Sequence, residues 1–357
     1  IIDKKILRKN TPNLVSSLYR KEKLIKNFSS GSSGEQSMVY WSKNEQAIYR
    51  ATQILWWTWA GYKFGDRILQ TGINPNRTNE KKIKDLLFRT NYIQAFSHRV
   101  EDCVKVLKKC REKKFFLAGY ASSLYVLSQI NELHNIRANF SGAVSWGDKL
   151  FNHYKKKINN EFKVNVKETY ASAEGLMIAA QLDLEYMYIM TPNIYIEIVD
   201  KNGNDVPDGE MGNVLITNLN AFSMPLIRYK IGDLAIKLPR KEYPKKRKLQ
   251  LPLLKKVIGR DTDIIYTKSG NSMVVHSFTG IFEHYPEIKQ FSVVQKNLDG
   301  ILIEIIKSEN FDEKILEKIS TMIKEKLKEN PQHLIINYDS LRNIEKFDLI
   351  KNFILEN

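Results

Sequence analysis

Phe115-Phe116-Leu117-Ala118-Gly119 is a short apolar run that ends in glycine. A strand covered on both faces has this composition, because neither face meets water and no polar alternation is needed. The run leads into a helical pattern from Ser122 to Leu133, and the same order then repeats. Ala143-Val144-Ser145 reads as a strand, Lys149 to Phe162 as a helix and Val164-Asn165-Val166 as another strand. Strands and helices in turn predict a layered α/β domain.

Upstream, residues 100–111 form an amphipathic helix that carries both cysteines, Cys103 and Cys110. From Lys43 to Phe64 the spacing of Ile48, Ile54, Leu55, Trp59 and Tyr62 suits a helix. A further helical pattern lies near Leu14 to Leu24. Downstream, from Met187 to Leu238, the character changes to strands. Ile194 to Asp200 runs into Lys201-Asn202-Gly203-Asn204, and Asn213 to Thr217 follows. Asn-Gly between two such runs is a hairpin signal. The tail from Ile264 reads as a small α+β unit, with strands at Phe291–Val294, Ile301–Ile306 and Leu334–Tyr338 and a helix from Asp312 to Leu327. The expected division is a domain at 1–259, a hinge at 260–263 and a small domain at 264–357.

The 357 residues suggest two or three domains and can bury a large core. A hydrophobic fraction of 43% with 27% charged residues is ordinary for a soluble globular protein. No apolar run reaches bilayer length, and Ile1-Ile2-Asp3-Lys4-Lys5 lacks the architecture of a signal peptide. Two cysteines seven apart on one helix exclude a disulfide scaffold and suit a cytoplasmic protein. The net charge of +16 is spread along the chain, and neither nucleic acid nor membrane insertion is expected. Charge does concentrate at Lys237, Arg240, Lys241, Lys245, Lys246, Arg247, Lys248, Lys255 and Lys256, against the single acid Glu242. Two readings stand for this segment, a solvated loop and a docking patch for an acidic carrier protein.

Four polar motifs interrupt the framework. Phe28-Ser29-Ser30-Gly31-Ser32-Ser33-Gly34-Glu35-Gln36-Ser37 cannot pack a core. It reads either as a flexible connector or as a loop whose backbone N–H groups and hydroxyls converge on a polyphosphate. Tyr170-Ala171-Ser172-Ala173-Glu174-Gly175 follows a strand, at the edge where open α/β sheets bind ligands. In Arg228-Tyr229-Lys230-Ile231-Gly232-Asp233, Asp233 could accept from both hydroxyls of a ribose. Arg228 could serve phosphate or form an ion pair at a strand end. Gly259-Arg260-Asp261-Thr262-Asp263 has the composition of a hinge.

A serine-rich loop, Tyr-x-x-x-Glu, Arg-Tyr-x-x-Gly-Asp and Gly-Arg-x-x-Asp, in that order, resemble the acyl-adenylate-forming enzymes. Met224-Pro225-Leu226-Ile227-Arg228-Tyr229 and Gly119-Tyr120-Ala121-Ser122-Ser123-Leu124 look typical of the phenylacetate–CoA ligase-like branch, with its relatives in capsule biosynthesis clusters. The resemblance covers nearly the whole chain. It implies a large layered α/β N-terminal domain with a β-rich subdomain, and a small mobile α+β C-terminal domain. It further implies activation of a carboxylic acid by ATP, then transfer to a thiol or amine acceptor (coenzyme A, a carrier protein or an amino compound).

Residue roles follow from the same resemblance. Ser29, Ser30, Gly31, Ser32, Ser33 and Gly34 would cradle the ATP phosphates. Tyr170 would stack on adenine beside Ala171, Ser172 and Ala173, and Glu174 would hold Mg²⁺. Asp233 would bind the ribose, Arg260 the ribose or phosphate, and Arg228 would join Glu174 in the catalytic set. Tyr120, Ala121, Ser145, Trp146 and Gly147 would line the acyl pocket. Trp146 opposite Tyr120 reads equally as the wall for a flat aromatic acid and as ordinary core.

Lys346 is the candidate adenylation lysine, though Glu345 stands where the family has glycine and Asp348 where a basic residue is common. No cysteine lies between residues 180 and 252, where relatives often hold zinc, so no zinc site is expected. The phosphate loop has Glu35-Gln36 in place of the usual Lys or Pro and lies close to the start, from which a missing N-terminal segment is expected. The alternatives are an aryl- or acyl-CoA ligase of the phenylacetate type and a nucleotide-binding homologue without turnover.

Overall fold

The computed structural model describes residues 1–28, 37–72, 79–95, 100–172, 174–260, 264–266, 272–274, 278, 281–282, 285, 287–298, 300–307, 311–327, 333–338 and 350–352. The chain forms two compact units. One comprises Ile1–Ile231 with Ile236–Lys256, and the other Gly232–Ala235 with Val257–Asn357.

The first unit opens with helix α1 (Lys4–Asn10), capped by Asp3, whose carboxylate accepts from the Ile6 N–H at 2.7 Å. The helix expected near Leu14 to Leu24 does not form. Thr11–Leu14 and Lys21–Lys23 are short 3₁₀ turns, and the Ser16 N–H donates instead to the Ser223 carbonyl at 2.9 Å. That tertiary bond outweighs a weak local propensity. Strands β1 (Ile25–Phe28) and β2 (Met38–Trp41) pair antiparallel, with Phe28 opposite Met38. The Ser/Gly stretch joins them in sequence, and Ser29 to Gln36 lie outside the described residues.

Helix α2 (Lys43–Trp59) starts at a capping box in which Ser42 and Glu45 bond each other's backbone N–H. Then come β3 (Arg67–Gly72), α3 (Asn79–Leu87), β4 (Thr90–Gln94), α4 (Val100–Glu112), β5 (Phe115–Tyr120), α5 (Ala121–Leu133), β6 (Phe140–Trp146), α6 (Asn152–Phe162) and β7 (Lys167–Ser172). The pairs β4–β3, β3–β5, β5–β6 and β6–β7 are all parallel, as the alternation predicted. On β5, Phe115 and Leu117 join a core with Leu107, Leu124, Leu127 and Phe162 from α4, α5 and α6. Phe116 and Ala118 pack the opposite way, against Trp57 and Tyr62. The uninterrupted apolar run thus serves two faces at once.

Strands β8 (Leu176–Gln181), β9 (Met187–Ile189), β10 (Ile194–Val199), β11 (Met211–Asn218), β12 (Tyr229–Lys237) and β13 (Leu253–Arg260) extend the sheet to eleven strands, in the order β10-β11-β12-β13-β9-β8-β7-β6-β5-β3-β4. β10 and β11 pair antiparallel, with Val199 opposite Asn213, but Asn202-Gly203 is not their direct turn. Asp200 accepts from the Asn202 and Asn204 N–H groups and curls the chain into a small loop closed by a Val199–Asp205 bridge. The chain reaches β11 only after that loop.

In the second unit, β14 (Ile264–Tyr266) pairs β15 (Ser272–Val274). β16 (Ile288–Asn297), β17 (Gly300–Lys307), β18 (His333–Tyr338) and β19 (Ile350–Asn352) form a sheet in the order β18-β17-β16-β19. Helix α7 (Lys314–Leu327) packs Ile319, Ile323 and Leu327 with Val293, Ile301 and Ile303.

Candidate functional site

The carboxyl ends of β3, β5, β6 and β7 gather the acyl-pocket candidates with Tyr170, Ala171 and Ser172. In open α/β sheets this edge is where ligands bind. At the end of β5, the Tyr120 N–H donates to Thr71 Oγ1 at 3.0 Å. A Cβ on Gly119 would fall 2.0 Å from that same oxygen, so the close approach of β3 and β5 requires glycine there. Ala121 begins α5, and its N–H donates to Asp148 Oδ1 at 2.7 Å. The Ser122 N–H and hydroxyl donate to Asp148 Oδ2 at 3.2 and 2.5 Å. Asp148 therefore caps α5 from the loop after β6, with its negative charge at the positive end of the helix.

Beyond β6, Gly147 has φ +76°, a conformation that a side chain strains, and the Tyr120 ring fills the place of its Cβ. Ser145 is fully buried between strands, where its carbonyl accepts from Thr169 Oγ1 at 2.8 Å. Trp146 lies nearly parallel to Trp57, with ring centroids 6.2 Å apart.

Tyr170, Ala171 and Ser172 lie within β7 rather than in a loop beyond it, because the strand begins at Lys167 instead of Val164. Pairing with β8 slips at Tyr170 and Ala171, a bulge of the kind that re-aims side chains beside active sites. The Ser172 hydroxyl is buried with no hydrogen-bond partner among the described residues. Ala173 lies outside them. Glu174 is 6% exposed, and its Oε1 accepts from the fully buried Tyr229 hydroxyl at 3.0 Å. Gly175 follows with φ +91°, its α-carbon against the Trp41 indole.

Arg228 takes the second of its two readings. It pairs with Glu197 of β10 at 3.1 Å and donates to the Gly203 carbonyl at 2.8 Å, from a left-handed backbone with φ +48°. These bonds tie it to the loop after β10. In the second unit, Asp233 and Arg260 form an ion pair at 3.2 Å. Each is thus held by the other in the positions expected to meet ribose. Lys346 and Asp261 to Asp263 lie outside the described residues, as do Ser29 to Gly34.

Sequence reasoning missed Thr71, Asp148 and the hydroxyl of Tyr229. Their partners stand 49, 26 to 27 and 55 residues away, beyond any local pattern.

The fold is that of the acyl-adenylate-forming enzymes. The chain's relatives by sequence are phenylacetate–coenzyme A ligases and CapK. It is 26% identical to the Pseudomonas putida phenylacetate-coenzyme A ligase over 182 residues, 48% of this chain and 38% of that protein. It is 22% identical to protein CapK of Staphylococcus aureus over 334 residues, 90% of this chain and 72% of that protein. The Escherichia coli K12 phenylacetate-coenzyme A ligase is 24% identical over 51% of this chain and 43% of its own. The chain therefore spans well under half the length of the two ligases it matches. No family model matches the sequence.

Among solved structures, 2-hydroxyisobutyryl-CoA ligase in its postadenylation state superposes with a TM-score of 0.75 at 16% identity, covering 99% of this chain and 79% of that one. ATP-bound MatB from Rhodopseudomonas palustris gives 0.66 at 14% identity, over 92% and 67%. Among the described residues no helix is long and apolar enough to cross a membrane.

Proposed function

We propose that this protein activates a carboxylic acid with ATP and passes the acyl group to a thiol or amine acceptor in a biosynthetic pathway. A carboxylate oxygen of the acid attacks the α-phosphorus of ATP, and pyrophosphate leaves. The acceptor then attacks the acyl carbon, and AMP leaves. The chemistry needs no protein nucleophile, so positioning and charge neutralisation carry it.

The observation that supports this best is Glu174, a carboxylate beyond the carboxyl end of β7, oriented by Tyr229. Mg²⁺ prefers carboxylate and phosphate oxygens and binds through one or two carboxylates. The residue fits that role, because it supplies a carboxylate whose Oε1 is positioned by the Tyr229 hydroxyl. When bound, Mg²⁺ would neutralise polyphosphate charge. Tyr170, on the same strand and two residues before the unpartnered Ser172 hydroxyl, would face the nucleotide. Asp233 and Arg260 would exchange part of their mutual ion pair for ribose hydroxyls and phosphate, and Lys346 would stabilise the charge that develops on adenylation.

The MatB structure contains ATP, and the ligase neighbours contain acyl-AMP, one of them with CoA in a thioesterification state. These support the two half-reactions and make coenzyme A one acceptor to test, beside a carrier-protein thiol and an amine. The test is carboxylate-dependent ATP–pyrophosphate exchange across aryl, fatty, hydroxy and amino acids. Exchange with at least one acid, and none without acid, is expected. ATP binding without exchange for any acid refutes the proposal. That outcome favours a nucleotide-binding homologue without turnover, the reading that the acids flanking Lys346 motivate.

A further inference from the structure

Both aromatic candidates at the carboxyl edge are packed against other parts of the first unit. Trp146 lies at 9° to Trp57, in a core cluster with Phe116, Ala118 and Val144. One face of its indole is committed to that core. The Tyr120 ring lies on Gly147, close enough that a Cβ there would sit 2.3 Å from a ring carbon. Each ring thus has one neighbour in the protein that limits its freedom to turn aside for a flat aryl group.

What the edge offers instead is polar. The Tyr120 backbone is held by Thr71, and the next two residues by the Asp148 carboxylate. The Tyr92 hydroxyl lies over Gly72, 2.4 Å from where a Cβ would stand at the end of β3. Burial, and then Asp148, Tyr92 and Tyr49, hold the Tyr120 phenol well above its ordinary value of 10.0. It therefore remains a neutral hydrogen-bond donor across the working range of pH. Within the first turn of α5, the Ser123 residue is 1% exposed and its hydroxyl has no partner among the described residues. The end of β5 thus carries the Tyr120 phenol with the Thr71 hydroxyl and the Asp148 carboxylate beside its backbone, and the Tyr92 phenol stands over the end of the neighbouring β3.

We propose that this edge selects a small acid bearing a hydroxyl or amino group close to its carboxylate, with the Tyr120 phenol as the specificity-determining partner of that substituent. The inference rests on the adenylation reading above and narrows its substrate. A site built to hydrogen-bond a substrate group rejects the analogue lacking it, because the site's own buried polar groups are then left unpaired. An apolar pocket discriminates much more weakly between acids that differ by a methylene.

The experiment compares kcat/KM in ATP–pyrophosphate exchange for short hydroxy and amino acids, each against the analogue without the polar group (lactate and alanine against propionate), with phenylacetate as the aryl reference. The polar acids are expected to exceed both references by about tenfold or more. Tyr120→Phe keeps the ring on Gly147 and should bring that ratio to within about threefold, with the KM for ATP unchanged. Equal or better use of propionate or phenylacetate by the wild type overturns the inference and leaves adenylation standing. An unchanged ratio in Tyr120→Phe removes Tyr120 from the role. Absence of exchange with every acid overturns the adenylation reading itself, and the inference with it.

Discussion

Replacing Tyr229 by phenylalanine removes one oxygen from the centre of the proposed site and leaves the ring that packs around it. The hydroxyl donates to Glu174 Oε1 at 3.0 Å, between residues that are 0% and 6% exposed. Water therefore has little access to replace it. A hydrogen bond to a charged group contributes about 1.5–3 kcal/mol, and a buried carboxylate that loses its donor keeps its desolvation cost. Tyr229→Phe should lower the stability of the first unit by about 2 kcal/mol, read from urea unfolding followed by tryptophan fluorescence. All five tryptophans lie in that unit.

The same change frees the Glu174 carboxylate to rotate, so exchange activity should fall by about tenfold or more. Glu174→Gln tests the electrostatic part, because a bond to a charged acceptor is about twice as strong as one to a neutral amide. A double-mutant cycle between the two positions should therefore give a coupling of about 1 kcal/mol. A coupling below about 0.3 kcal/mol, with activity intact in Tyr229→Phe, would show that the bond neither orients Glu174 nor stabilises the unit.

Further outcomes follow from single contacts. Gly147→Ala must both hold φ +76° and displace the Tyr120 ring, and should cost about 1–3 kcal/mol in thermal unfolding. Gly65→Ala has a φ of +93° with nothing within 4 Å, and should show only the smaller backbone part of that loss. Asp148→Ala uncaps α5 and should destabilise by about 1–2 kcal/mol, measured by urea unfolding, with Asp148→Asn recovering part of the loss.

Burial pushes the Cys103 thiol up to about 11, with Asp102 adding to the effect, and burial pushes Cys110 up to about 12 against the opposing charge of Lys109. Both should resist a thiol-reactive disulfide reagent at pH 8 until the chain unfolds. Unfolding frees these thiols to ionise at their ordinary 9.0, whereas the folded chain keeps them neutral. Their contribution to stability is therefore complete below pH 9 and is lost as pH rises from about 9 through 11 and 12. In urea titrations, Cys103→Ala with Cys110→Ala should flatten that decline.

The parallel half of the sheet was legible because both faces of each strand are buried, so composition alone marks Phe115–Tyr120. α4 and α5 were legible from apolar spacing. The segment near Leu14 to Leu24 was misread because its backbone bonds go to Ser223, far along the chain. β7 was displaced by three residues because it is polar along its length and takes its place from its neighbours β6 and β8. The packing of Trp146 on Trp57, which stands 89 positions earlier, was not legible because no pattern in the sequence connects the two.

Local composition and the order of motifs determined the α/β class and the superfamily likeness, because strand burial and helix periodicity are written into neighbouring residues. They also singled out Glu174 and Tyr120. Which atoms hold those side chains was decided only by the tertiary structure. Tyr229, Asp148, Thr71 and Glu197 reach their partners across 26 to 55 residues. A hydrogen bond depends on angles and distances that exist only once the sheet has brought those strand ends together.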